Sequence, residues 1–253
     1  MTVAELDRWL SSFLDIGALE GIDSSRNGLQ VGSATTEVRK VAFAVDASME
    51  SFRRAAQCGA GMLVVHHGII WAVPERIVGP LFERVRFLAE KNIALYAAHL
   101  PLDRHPEVGN NIGIARHLGL QDIAPFGTWR GATLGCRGTL PVPMTLEQVV
   151  TLMSGRQGEQ VRTLPFGAPL VRTVGIISGK AAKDVTQAIS EGLDLFITGE
   201  PSHEVYHHCL EARIHVIFSG HYHTESFGVR LLADRLARET GVETTYLDIP
   251  TGL

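Results

Sequence analysis

Short apolar runs, most of them reaching glycine or histidine within two residues, alternate along this chain with stretches of helical period. Val41-Ala-Phe-Ala-Val45, Met62-Leu-Val-Val65, Ile93-Ala-Leu-Tyr-Ala-Ala98, Val174-Gly-Ile-Ile177, Leu195-Phe-Ile197 and Ile214-His-Val-Ile-Phe218 are too short for buried helices and read as strands. Between them lie helix-like segments, and the stretch carrying Val229, Leu232 and Leu236 is amphipathic. Thr2-Val-Ala-Glu5 is a capping box that opens a helix, and Thr145-x-x-Gln148 opens another through Val149, Val150 and Met153. Alternation of this kind predicts an α/β fold.

The pattern repeats. Val41 to Ser48, a helix to Gly59, then Met62 to Gly68 corresponds to Val174 to Lys180, a helix through Val185, Ala188 and Ile189 to Gly192, then Leu195 to Glu200. At one constant offset Gly59 falls on Gly192, and His66-His67 falls on Gly199-Glu200. The next strands also correspond, Ile93 to His99 with Ile214 to His221. Two copies of a β-α-β-α-β module follow, with boundaries at 1–121 and 173–253 and a connector of strands and one helix over 122–172. The loss of the histidine pair in the second copy argues against a second equivalent site. Gly135-Cys-Arg-Gly138 has no helix after it and no Gly-Lys-Ser/Thr ending, so it reads as a strand turn rather than a phosphate loop. Thr244 to Ile249 reads as a final strand.

Composition narrows the class. A chain of 253 residues, 45% hydrophobic, fills two modules of ordinary size. The absence of a long apolar run argues against a membrane span, and the capping box at Thr2 is not a basic signal peptide, which predicts a cytoplasmic protein. Net charge of −4 with no basic run gives no electrostatic reason to expect nucleic acid. Cys58, Cys136 and Cys209 lack CxxC spacing and read as reduced thiols, not metal ligands.

Candidate chemistry gathers at the strand ends. His66-His67 closes one apolar run, His99-x-x-x-Asp103 follows another, and His221-x-x-x-Glu225 follows a third. Each is weak alone, because a histidine pair is as often structural and H-x-x-x-[DE] has many false positives. Ending equivalent strands of an open α/β sheet, where ligands collect, they supply imidazoles and carboxylates enough for two divalent metals with open positions. Residues four apart approach to about 6 Å only across a strand end and a first helical turn, which is what the pattern around His221 predicts. Such donors suit Zn, Fe, Mn, Co or Ni better than Ca or Mg and do not select among them.

The ordered motifs Asp23-x-x-x-Asn27-Gly28, Val45-Asp46, Val64-Val65-His66-His67-Gly68, Tyr96-Ala-Ala-His99-x-x-x-Asp103, Thr198-Gly199-Glu200-x-x-His203 and Gly220-His221-Tyr222-x-Thr224-Glu225 resemble the NIF-three-like family of dinuclear metal-centre hexameric proteins, the GTP cyclohydrolase 1 type 2 homologs. The resemblance implies two intertwined, duplicated α/β modules with mixed sheets, a toroidal homohexamer, and two divalent metal ions held by His66, His67, Asp103, His221 and Glu225. It places His99 beside the cluster. His99 or His203 would carry protons for a hydrolase that uses a metal-activated water on a small-molecule substrate. The alternative it permits is a non-enzymatic metal-binding or regulatory scaffold that recruits protein partners. One departure is Gly68, where the family usually has proline.

Overall fold

In a computed structural model, residues 1–72, 76–154 and 161–253 are described. Packing groups them into two units, Met1–Val108 with Gly228–Ile249, and Gly109–Phe227 with Pro250–Leu253.

The first unit opens with α1 (Val3–Phe13), capped reciprocally by Thr2 and Glu5. Its sheet contains β1 (Gly28–Val31), β2 (Lys40–Asp46), β3 (Met62–His67), β4 (Ala94–Ala97) and β11 (Glu243–Tyr246), in the order β1-β4-β3-β2-β11. All neighbours are parallel except β1 on β4. The continuous apolar runs reflect burial on both faces, as parallel strands require. Helices α2 (Met49–Gln57) and α3 (Gly79–Glu90) cross between strands, and Phe52, Leu63, Val65, Leu88 and Leu95 form a core on one side. The short helix α4 (Leu100–Asp103) follows β4.

The second unit holds β5 (Gln121–Trp129), β6 (Ala132–Met144), β7 (Arg162–Pro165), β8 (Val171–Ile176), β9 (Leu195–Thr198) and β10 (His215–Phe218), ordered β5-β6-β8-β9-β10-β7. Strands β8, β9 and β10 are parallel, whereas β5, β6 and β7 are antiparallel to their neighbours. Helix α5 (Asn110–His117) precedes β5, and the expected helix α6 (Leu146–Met153) carries the Thr145–Gln148 capping box. The crossovers from β8 to β9 and from β9 to β10 contain α7 (Val185–Ser190) and α8 (Tyr206–Ala212).

Both sheets are mixed, and the duplication extends further than the repeat predicts. The order β4-β3-β2 matches β10-β9-β8, and an antiparallel strand lies outside each, β1 on β4 and β7 on β10. Grouping by packing cuts the chain differently from the modules 1–121, 122–172 and 173–253, because β11 pairs with β2 and the last turns of α9 (His221–Thr240) group with the first unit.

One expectation needs correction. Gly135 to Gly138 is not a turn but the middle of β6. The β5–β6 turn lies earlier, at Arg130-Gly131, where both residues have positive φ, 48° and 83°. Glycine at 135 serves close approach instead, since a Cβ there would overlap the Ile176 carbonyl oxygen.

The three cysteines are free thiols, and burial pushes Cys136 up to about 12 and Cys209 up to about 11. Among the described residues no helix is long and apolar enough to cross a membrane.

Candidate metal centre

Strand β3 delivers its two histidines where the strand ends. His66 is fully buried and His67 half-buried, and the rings approach to 4.7 Å between centroids. His99 caps α4, with its ring 5.1 Å from His66 and 5.6 Å from His67. One ligand atom from each of these imidazoles lies within 4.8 Å of the other two, a group able to hold a metal ion. Asp103, at the end of α4, places a carboxylate oxygen 3.6 Å from His66 Nε2.

How each ring is held matters more than proximity. His66 Nδ1 lies 2.9 Å from the Ala98 carbonyl oxygen, which can only accept, so Nδ1–H donates and, in the neutral ring, Nε2 carries the lone pair. His67 Nδ1 donates to Asp46 at 2.8 Å, and His99 Nδ1 donates to Asp23 at 2.8 Å. A metal-binding histidine needs this arrangement, in which an oxygen behind the ring fixes the tautomer and raises the basicity of the other nitrogen.

Asp23 is itself tightly bound. Burial raises its pKa, but the hydrogen bond and charge of His99, the Asn27 amide and the Ser25 N–H together hold it below the ordinary carboxylate value. It also accepts the Leu100 N–H at 3.1 Å, while Asn27 takes the His99 N–H at 2.8 Å. The Asp23–Asn27 pair therefore ties the start of α4 to the ring that it carries.

In the second unit His221 begins α9, directly after β10 and Gly220, as the strand-end pattern predicts. Its Nδ1 donates to Glu200 at 2.7 Å, and its Nε2 lies 2.9 Å from Glu225 one turn along. Two donors each about 2.0–2.2 Å from one ion at tetrahedral or octahedral angles would lie roughly 3.0–3.5 Å apart, close to this spacing. Glu225 is buried, and Gly179 makes room for it: a Cβ there would overlap Glu225 Oε1, and its φ of +66° also favours glycine. Thr224 Oγ1 accepts the Gly179 N–H at 3.0 Å and fixes that loop to the helix.

His203 stands apart, exposed at the start of a 3-10 turn and in no candidate metal-holding group among the described residues. His117, His105 and His215 make structural bonds to the carbonyl oxygens of Leu152, Phe13 and Ala168. The sequence motifs contain Asp23, Asp46 and Glu200, but residue spacing alone assigns them no role. The strand repeat held a signal for two of them: Asp46 pairs with His67 in the β2–β3 register, and Glu200 falls at the repeat position of His67.

No metal ion is part of this structure; imidazole nitrogens backed by oxygens, with adjacent carboxylates, fit a transition metal.

Residues 1–251 match the family Duf34/NIF3 (NGG1p interacting factor 3). A GTP cyclohydrolase 1 type 2 homolog of Archaeoglobus fulgidus is 46% identical over 253 residues, covering 100% of both chains. One from Deinococcus radiodurans is 45% identical over 249 residues, covering 98% of this chain and 94% of the relative. Among solved structures, TTHA1606 of Thermus thermophilus is similar at a TM-score of 0.90 and 41% identity, with 100% of each chain covered.

Proposed function

The chain belongs to the Duf34/NIF3 family, and on that premise we propose that it is a metal-dependent hydrolase in which His66, His67, Asp103, His221 and Glu225 hold two divalent ions. The observation that carries this reading is the shared orientation of His66, His67, His99 and His221, each tied at Nδ1 to a carbonyl or carboxylate oxygen and so leaving Nε2 for a ligand or proton. Zn, Fe, Mn, Co and Ni all suit these donors. Two such ions, when bound, supply an acidified water and an electrophilic pull on a carbonyl, imine or phosphoryl oxygen.

The protein's own groups supply the rest. Asp23 holds a proton on His99 Nδ1, which leaves Nε2 as the base beside the cluster. His203 is the alternative proton carrier. The name shared by the Archaeoglobus and Deinococcus relatives makes GTP the first substrate, a nucleotide whose purine ring offers an amidine carbon to hydrolysis. We assign the protein to the cytoplasm and to a homohexamer. Native mass spectrometry should show six chains, and a monomer across micromolar concentrations would remove the ring from this reading.

The test of activity uses protein purified without chelators. Elemental analysis should give close to two transition metals per chain, and GTP should be consumed with loss of purine absorbance and release of formate. Turnover should disappear on chelation and return with added metal. His99→Ala should lower turnover about 10²-fold while retaining most metal, and His203→Ala should change it little. If fully metallated protein leaves GTP and a panel of nucleotides, cyclic amides and phosphoesters untouched, the metal-binding scaffold becomes the better description.

A further inference from the structure

The segment after the histidine pair is firmly braced. Gln30 Oε1 accepts the Ile69 N–H at 2.7 Å and the Ile70 N–H at 3.2 Å, while its Nε2 donates to the carbonyl oxygens of Arg26 at 2.7 Å and Ile70 at 3.1 Å. Gly68 makes this possible, because a Cβ there would overlap the Gln30 carboxamide. The brace fixes the strap Gly68–Trp71, whose end pairs with Ser25 through a β-bridge.

The strap delivers Trp71 to the histidine cluster. Its indole stands edge-on to His99, with centroids 5.3 Å apart at 75°, and lies 6.3 Å from His67 at 36°. Its Nε1–H donates to the Gly68 carbonyl oxygen at 3.2 Å, which satisfies its polar atom within the strap. Trp71 is only partly buried and is followed by exposed Ala72. The imidazoles do not need it for orientation, since Asp46 and Asp23 already fix them by hydrogen bonds.

We infer that Trp71 seats the substrate, its indole offering a stacking face for a planar heteroaromatic ring beside His67 and His99. This role rests on the hydrolase reading for the fate of the ring, but the binding it describes needs no turnover. Stacking on an aromatic side chain tolerates different rings because each presents a π-face, and its loss typically weakens binding about tenfold or more.

Isothermal titration calorimetry on the metal-loaded full chain tests it, with guanosine 5′-monophosphate as the planar probe and ribose 5-phosphate as the ringless control. Wild type should bind the nucleotide more tightly than the sugar phosphate. Trp71→Leu should weaken nucleotide binding about tenfold or more, Trp71→Phe should restore most of it, and sugar phosphate binding and metal content should be the same in all three. Equal nucleotide affinity in Trp71→Leu and wild type overturns the inference, as does a nucleotide that binds no better than the sugar phosphate. Loss of metal in Trp71→Leu also overturns it, because the indole would then be a brace for the ligands. Trp71-dependent nucleotide binding without any turnover supports the seat and counts against the hydrolase reading alone.

Discussion

Gly135→Ala should be among the most damaging single-methyl additions this chain can receive. The added Cβ would overlap the Ile176 carbonyl oxygen, lie 2.7 Å from Ile177 Cγ1 and lie 3.1 Å from the Phe126 carbonyl oxygen. Two of these are backbone atoms, on β8 and on β5, so no flexible side chain can swing aside. Phe126 pairs with Gly135, and Cys136 pairs with Ile176 in the neighbouring register. Relief requires β6 to part from one neighbour, which adds lost ladder hydrogen bonds to the overpacking, together about 3–5 kcal/mol. Against a typical net stability of about 5–15 kcal/mol, that is a large share. Gly131→Ala is the control: nothing lies within 4 Å of its Cβ, so it carries only the left-handed backbone cost of about 1–2 kcal/mol. Urea unfolding of both variants decides the matter, and equal midpoints would show that β6 accommodates the methyl.

That glycine also shows where reading the sequence falls short. A glycine is ambiguous between a turn and a close approach, and only the pairing of β6 with β5 and β8 resolves it at 135. The strands legible in advance were β2, β3, β4, β8, β9 and β10, because burial on both faces leaves almost no polar position within each short run, together with the edge strand β11, read over Thr244 to Ile249 and observed over Glu243–Tyr246. The edge strands β1 and β7 left no such mark, being only partly buried and four residues long. Capping boxes at Thr2 and Thr145 were legible because their bonds lie within three residues. At the candidate centre the same logic holds. Donors at strand ends were readable from local pattern, and Asp46 follows from aligning β2 with β3. Asp23, by contrast, reaches His99 from 76 residues away through an irregular segment that no periodicity describes.

Exchanging the carboxylates behind the imidazoles should cost metal without costing the fold. Asp46→Asn and Glu200→Gln keep the shape of each side chain and an oxygen that can accept the Nδ1 proton, but remove the negative charge that polarises His67 and His221. Such changes typically weaken metal binding about 10–100-fold. Both positions are partly exposed, so little packing is disturbed. Asp23→Asn should behave differently, because the buried Asp23 also accepts the Ser25 and Leu100 N–H groups, and losing the charged acceptor should lower stability by about 1–3 kcal/mol as well. His66→Ala and Glu225→Ala, which remove proposed ligands outright, should each lose at least one ion per chain by elemental analysis. His117→Ala removes a bond to the Leu152 carbonyl oxygen and a ring contact with Phe227, neither involving a proposed ligand, and should keep the full complement. Competition against a chromophoric chelator ranks the variants. If Asp46→Asn and Glu200→Gln hold metal as tightly as the unmodified chain, the oxygens behind the rings do not tune ligands, and the orientation argument for the centre fails even if metal is present.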